Sequence, residues 1–184
     1  PADMLAIHAL AERYEFAVIE DAAHALGARY RNPESKDEIV VGSCAYSDMT
    51  IFSFHPVKHI TTGEGGAITT NDEHLYRKLL LLRNHGMQKD SFVNTGLAAD
   101  RNGKVNPWYY EMSELGYNYR ITDMQCALGI QQINRLDDFV TRRRSIATEY
   151  REQIEQRLNG LVLPLLERDE VRHAYHLFPV TIEY

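Results

Sequence analysis

The stretch FSFHPVKHITTGEGGAITTND, residues 52–72, decides the fold. Its first residues close an apolar run, DMTIFSF (48–54), that reads as a buried strand. A single lysine, Lys58, follows. The backbone then enters GEGG (63–66), where glycines permit a sharp turn, and leaves as a second β-like run, GGAITT. Lysines mostly belong on solvated surfaces. This one stands where a strand ends and the chain turns, which is where open α/β sheets hold their ligands.

Working outward, ADMLAIHALAERY (2–14) puts Met4, Leu5, Ile7, Leu10 and Ala11 on one helical face. FAVIED (16–21) predicts a short buried strand over Phe16–Ile19 that ends in two carboxylates, Glu20 and Asp21. Met49–Phe54 and Ala67–Thr70 predict two more strands. Asn71 and Asp72 are capping residues for a helix ending near Gly86. Helix, strand, loop, strand, strand, helix is the order of an α/β layer with a mostly parallel sheet. Residues 87–117 are polar at first and then aromatic at Trp108, Tyr109 and Tyr110, a pattern we read as a functional loop. Thr122 and Gln125 stand at capping-box spacing, so a helix starts there. A second helical stretch runs to about Leu158, and NGLVLP (159–164) turns into a strand of a different unit. We therefore expect one domain over 1–136, and a connecting helix with the start of a second domain over 137–184. The chain opens at Pro1 and stops within the alternating run YHLFPVTIEY (175–184), so a piece of a longer protein is expected.

Composition narrows the function. The chain has 184 residues, 44% hydrophobic and 25% charged, with a net charge of −6, and so carries no basic footprint for nucleic acid. Arg142, Arg143 and Arg144 form a dense basic cluster that reads as a solvated helix face. Cys44 and Cys126 lack metal-site or disulfide-framework spacing, which favours a reducing compartment. No apolar run approaches the roughly 20 residues needed to span a membrane. A cytoplasmic protein that binds neither membrane nor nucleic acid is the expectation.

Three features stand at predicted strand ends: IEDAAHALGA (19–28) with Glu20, Asp21 and His24; SFHPVK (53–58) with Ser53, His55 and Lys58; and GEGG. Each has an ordinary reading. Asp21 caps turns, His24 suits a structural histidine, Lys58 suits the surface and GEGG suits a plain turn. Their order and spacing suggest more. A lysine amine can join an aldehyde as a Schiff base, and a carboxylate can hold a heterocyclic nitrogen protonated. Those are the two needs of pyridoxal phosphate (PLP). Ser53 is then a candidate hydroxyl for its phosphate.

VIEDAAHALGARY (18–30), residues 52–72, LRNHGM (82–87) and LGYNYRITDMQCALGIQQINRLD (115–137) together resemble the DegT/StrS-type sugar aminotransferases, over about Met4 to Arg151. The resemblance implies a fold type I PLP-dependent transferase, with part of a large mixed sheet domain and the start of a small C-terminal α+β domain. It implies PLP on Lys58, Asp21 at the pyridinium nitrogen, His24 beside the ring and Ser53 at the phosphate. It also implies that Asn118 reaches the phosphate in the neighbouring subunit, so that a homodimer shares its active sites. His55 and residues 108–110 become candidate substrate contacts. Within the family, residues 53–66 and PWYYEMSELGYNYRITDMQ (107–125) are most similar to the transaminases of pseudaminic acid synthesis. Those take L-glutamate as donor and UDP-4-dehydro-6-deoxy-N-acetyl-β-L-altrosamine as acceptor. Three alternatives stay open: another nucleotide-linked 4-ketosugar, a PLP sugar dehydratase (whose relatives carry histidine in place of Lys58), and a non-catalytic protein on the same scaffold.

Overall fold

A computed structural model describes residues 1–32, 35–158 and 160–182. In chain order its elements are α1 (Met4–Tyr14), β1 (Ile19–Asp21), β2 (Arg29–Arg31), β3 (Glu38–Val40), β4 (Met49–Ser53), β5 (Gly66–Thr69), α2 (Glu73–Arg83), β6 (Met87–Gln88), α3 (Thr95–Ala98), β7 (Glu111–Met112), α4 (Asp123–Ile133), α5 (Leu136–Leu158), β8 (Val162–Pro164), β9 (Val171–Arg172) and β10 (Val180–Ile182). Two compact units result, Pro1–Asn71 with Thr122–Tyr184, and Asp72–Ile121. The expected boundary between 136 and 137 falls at the start of α5. Of the two terminal strand readings, Asn159 in NGLVLP and Glu183 and Tyr184 in the last run lie outside the described residues.

In the first unit α1 starts on Asp3, whose carboxylate accepts from the Ala6 amide at 3.1 Å. It ends at Glu15, in the left-handed region at φ 55°. Met4 and Ala11 of the expected apolar face are buried, and Leu5 and Ile7 pack on the core. Leu10 is 48% exposed, so the buried stripe is narrower than expected. The first strand also differs from expectation. Phe16 is exposed, and pairing begins only at Ile19, because β4 supplies ladder partners for Ile19, Glu20 and Asp21. The carboxylates thus belong to the strand rather than following it. Ile19 is itself exposed, so this strand has only one covered face.

β1 runs parallel to β4, and β5 returns antiparallel to it, giving a mixed three-stranded sheet in the order β1-β4-β5. Strand alternation sends Glu20, Thr50 and Phe52 to one side. There Thr50 is fully buried and Phe52 is 6% exposed. The core continues through Val18, Ala22, Ala28, Tyr30 and Val41 to Val140 of α5 and Ala174. A second sheet, ordered β3-β2-β9, brings the C-terminal segment against β2, while β8 pairs with β10.

α5 is tied to that segment by charge. Arg144 grips Glu167 with two nitrogens, at 2.7 and 3.2 Å, and donates to the His173 carbonyl at 2.8 Å. Glu167 also accepts from the Tyr175 hydroxyl at 2.8 Å and from the His173 amide. These bonds pull its pKa below the usual carboxylate range, against the burial that raises it. The arginine cluster is therefore not a wholly solvated face. Arg142 is exposed, whereas Arg143 and Arg144 are half-buried and hydrogen-bonded.

In the second unit Asp72 caps α2 by accepting from the His74 and Leu75 amides at 2.7 and 3.0 Å. The helix stops at Arg83, before the expected Gly86. The long connection is ordered as α3 and the antiparallel pair β6–β7. Glu111 holds it, accepting from the Val93 and Asn94 amides at 2.7 and 2.8 Å and from the Tyr109 hydroxyl at 2.8 Å.

Replacing Arg144 by methionine leaves Glu167 half-buried without its cation. We expect a loss of roughly 1–3 kcal/mol in the full-length protein, less than for a fully buried pair because solvent screens it. Urea unfolding of the variant against wild type measures this.

Candidate active site

Asp21 closes β1, Ser53 closes β4, and both strands point the same way. Asp21 pairs in register with Ile51, two residues before Ser53, so Asp21, Ile51 and Ser53 share one face. Strand spacing and rise put the Asp21 and Ser53 Cα atoms about 8 Å apart. Gly66 lies opposite Ser53 on β5. A Cβ there would sit 2.6 Å from the Phe52 carbonyl oxygen, so only glycine lets β5 pair so closely. Ile19 and Ile68 flank this face, which is open, in contrast to the buried Thr50–Phe52 side.

Glu20 points away from it. Its carboxylate accepts from the Ser47 and Thr50 hydroxyls at 2.6 and 3.1 Å on the covered side. Of the two adjacent carboxylates, alternation leaves Asp21 free for the open face. One Asp21 oxygen accepts from the Ala23 amide at 3.1 Å, which turns the chain toward His24.

Lys58 rides on a loop closed at its base. The Phe54 amide donates to the Gly65 carbonyl at 2.8 Å, and the Thr62 amide donates to the Phe54 carbonyl at 3.0 Å. Within the loop the Lys58 amide donates to the His55 carbonyl at 2.9 Å. Gly63, at φ +82°, takes the turn. α4 supports the loop from outside. Its capping box is formed as the spacing predicts, and Gln125 and Gln132 reach the Glu64 carbonyl at 2.8 Å and the Thr61 amide at 3.3 Å. α5 adds Arg143, which donates to the Lys58 carbonyl at 3.5 Å and to the Tyr175 carbonyl at 3.1 Å. His55 is exposed, and its Nδ1 accepts from the Val57 amide at 3.4 Å.

The structure therefore brings Asp21, Ser53 and the Lys58 loop to one strand edge, with His24 one turn beyond β1. Asn118 belongs to the second unit. It is exposed, bridges Asn84 across a short antiparallel contact, and its side-chain oxygen accepts from the Arg120 amide at 3.4 Å. Trp108 and Tyr110 of the same unit are exposed as well. Two clefts in the first unit, one at Arg29 and Arg172 and one at His8 and Cys44, contain none of these residues.

Three residues missed in the sequence gather here. Arg143 stands in a basic run whose composition reads as surface charge. His59, next to Lys58, is 4% exposed, and neither ring nitrogen has a hydrogen-bond partner. His176 comes from the segment before β10 and stacks on His24 with ring centroids 4.2 Å apart. Adjacency to Lys58 was a signal for His59. His176 carried none, since only the tertiary fold brings it in. Burial, then the Arg143 charge and His176, drives the His59 pKa down to about 4, against an opposing pull from the Ala174 backbone. His176 is also lowered, first by burial and then by His24, Lys58 and Arg143.

A carboxylate, a hydroxyl and an amine at one strand edge are the donor set that suits PLP: an anion for a protonated ring nitrogen, a donor for a phosphate and an amine for an aldehyde. Fold and site together define a fold type I PLP-dependent transferase scaffold. The whole chain, residues 1–184, matches the DegT/DnrJ/EryC1/StrS aminotransferase family and belongs to it. It is 39% identical to the spore coat polysaccharide biosynthesis protein SpsC of Bacillus subtilis, over 98% of this chain and 42% of that protein. It is 38% identical to the UDP-4-amino-4,6-dideoxy-N-acetyl-beta-L-altrosamine transaminase of Campylobacter jejuni, over 98% and 41%. Among solved structures it is similar to Helicobacter pylori PseC, an aminotransferase involved in the biosynthesis of pseudoaminic acid. That match has a TM-score of 0.79 and 30% identity, and covers all of this chain and 43% of that one. The chain thus spans less than half the length of these relatives. No helix among the described residues is long and apolar enough to cross a membrane.

The His59 shift makes stability pH-dependent. Its folded pKa lies below the unfolded value near 6.5, so the unfolded chain binds more protons as pH falls from 6.5 to about 4, and stability drops through that window. The loss from this group is on the order of 2–3 kcal/mol. His59→Leu should flatten that part of the curve while leaving stability at pH 7.5 little changed. Chemical denaturation of both full-length proteins from pH 7.5 to 4 checks it.

Proposed function

We propose that the protein containing this chain is a PLP-dependent aminotransferase. It moves an amino group from L-glutamate to C4 of a nucleotide-linked 4-keto-6-deoxy sugar, with UDP-4-dehydro-6-deoxy-N-acetyl-β-L-altrosamine as the favoured acceptor. The observation that carries this reading is the shared edge of Asp21 and Ser53 on parallel strands, with Lys58 on the clasped loop that follows. The Campylobacter jejuni transaminase and Helicobacter pylori PseC support the choice of acceptor. The resemblance to SpsC favours, as a second reading, another nucleotide-linked 4-ketosugar destined for a surface polysaccharide.

In this reading Lys58, Asp21, His24 and Ser53 hold the cofactor, and Asn118 serves the cofactor phosphate of a second copy in a homodimer. Bound there, PLP supplies an electron sink for breaking the C–H bond beside the amino nitrogen. Lys58 Nζ takes the proton from Cα of L-glutamate. The Asp21 carboxylate keeps a positive charge on the nitrogen facing it. Ser53 donates its hydroxyl to phosphate, and its place at the strand end fixes the distance from Asp21. His55 and residues 108–110 are candidate contacts for the sugar nucleotide. We assign 1–136 to the large domain, 137–184 to a connecting helix with the start of the small domain, and the protein to the cytoplasm.

With the full-length protein loaded with PLP, L-glutamate should bleach the absorption band near the visible edge. A screen of UDP- and dTDP-linked 4-ketosugars should then restore it with the true acceptor. Lys58→Ala should lower turnover by roughly 10²- to 10⁴-fold or more, the range for loss of a proton-transferring group. Asp21→Asn should also lower it, with the fold retained. An unchanged spectrum on adding L-glutamate contradicts the aminotransferase reading and favours a non-catalytic protein on this scaffold.

A further inference from the structure

Three imidazoles run in series from the core to the open edge. His59 is innermost, buried beside Ile60 in the loop after β4. Its ring centroid lies 5.6 Å from that of His176, at an interplanar angle of 50°. The His176 ring lies 4.2 Å from that of His24, at 42°. His24 is outermost and exposed, one turn beyond Asp21. The geometry leaves both nitrogens of His59 and Nδ1 of His176 without a hydrogen-bond partner, so ring packing takes a large part in orienting these rings. A tilted pair at this distance contributes both contact and orientation.

We propose that His176 is a positioning residue: its ring, braced from behind by His59, sets the orientation of His24 toward the cofactor, and protonation of His176 releases it. This rests on the reading of His24 as a cofactor contact. The charged and titratable groups facing His176 come from every element around it. They are His24 after β1, Lys58 and His59 after β4, and Arg143 on α5, with His173 in its own segment facing His59. A proton added to His176 sits among Lys58 and Arg143, both cations, and is repelled by them. Burial and those neighbours lower its pKa, so the ring is neutral at pH 7 and the ladder is intact there. It fails as pH falls below the ordinary histidine range near 6.5.

The test uses the full-length protein with two substitutions. His176→Ala removes the ring; His176→Phe keeps a ring and removes the titration. The readouts are the PLP dissociation constant from pH 8 to 5.5 and, in cofactor-free protein, the NMR position of the His24 ring proton, with thermal midpoints for each variant. His176→Ala should weaken PLP binding roughly two- to tenfold at pH 7.5, the worth of one ring pair, and move the His24 resonance. His176→Phe should restore binding and lose less affinity than wild type as pH falls. His176→Phe as weak as His176→Ala, or both indistinguishable from wild type, overturns the proposal. A wild-type protein that does not bind PLP sinks the functional reading instead. The His24 resonance then decides alone: moved in His176→Ala, the ladder stands; unmoved, it falls. Should His176→Ala not fold, the pH profile of His176→Phe decides, and a profile matching wild type overturns the proposal.

Discussion

The parallel pairing of β1 with β4 is the constraint on which the site depends. Strand side chains alternate with a period of two, so a slip of one residue would send Asp21 into the core and Glu20 to the open face. The register is held by what lies underneath. Glu20 is bonded to Ser47 and Thr50, Thr50 is wholly buried, and Phe52 fills the core beneath β5. Moving Glu20 outward would break two hydrogen bonds on the covered side and place the Asp21 carboxylate among apolar groups, which is costly for an unpaired charge. The choice of carboxylate is thus made by packing on the far side of the sheet.

The second requirement is that Lys58 sit on a loop whose ends are fixed. Phe54 bonds to both Gly65 and Thr62, and glutamines from α4 hold the outer turn. Arg143 links the loop carbonyl to the Tyr175 carbonyl, and Arg144 secures the same C-terminal segment through Glu167 and His173. Two consecutive arginines of one helix therefore join the lysine loop to the segment between β9 and β10 that carries His176. The apolar side chains of α5 that are buried or pack on the core, Leu136, Val140 and Ala147, are few, so polar clamps take a large part in seating this helix.

Features set by local chemistry were legible in the sequence. Asp72 caps α2, and Thr122 with Gln125 forms a capping box, because such bonds span only two to three residues. The end of β4 was legible to within one residue, since a turn signal follows its apolar run. The first strand was misplaced because Phe16 to Ile19 is an apolar run, whereas the ladder is defined by what β4 can pair with. The arginine cluster misled for a similar reason: composition says solvated, but the fold of α5 turns two of the cluster's three arginines, Arg143 and Arg144, inward. His59 and His176 were invisible as a pair because only the return of the chain through β9 places one ring against the other.

The most direct test of the central claim is to reduce the PLP-loaded full-length protein with borohydride, digest it and map the modified residue by mass spectrometry. The account predicts that the phosphopyridoxyl mass falls on the peptide containing Lys58 and is absent in Lys58→Ala. Modification at another lysine, or none in a folded protein, would contradict it.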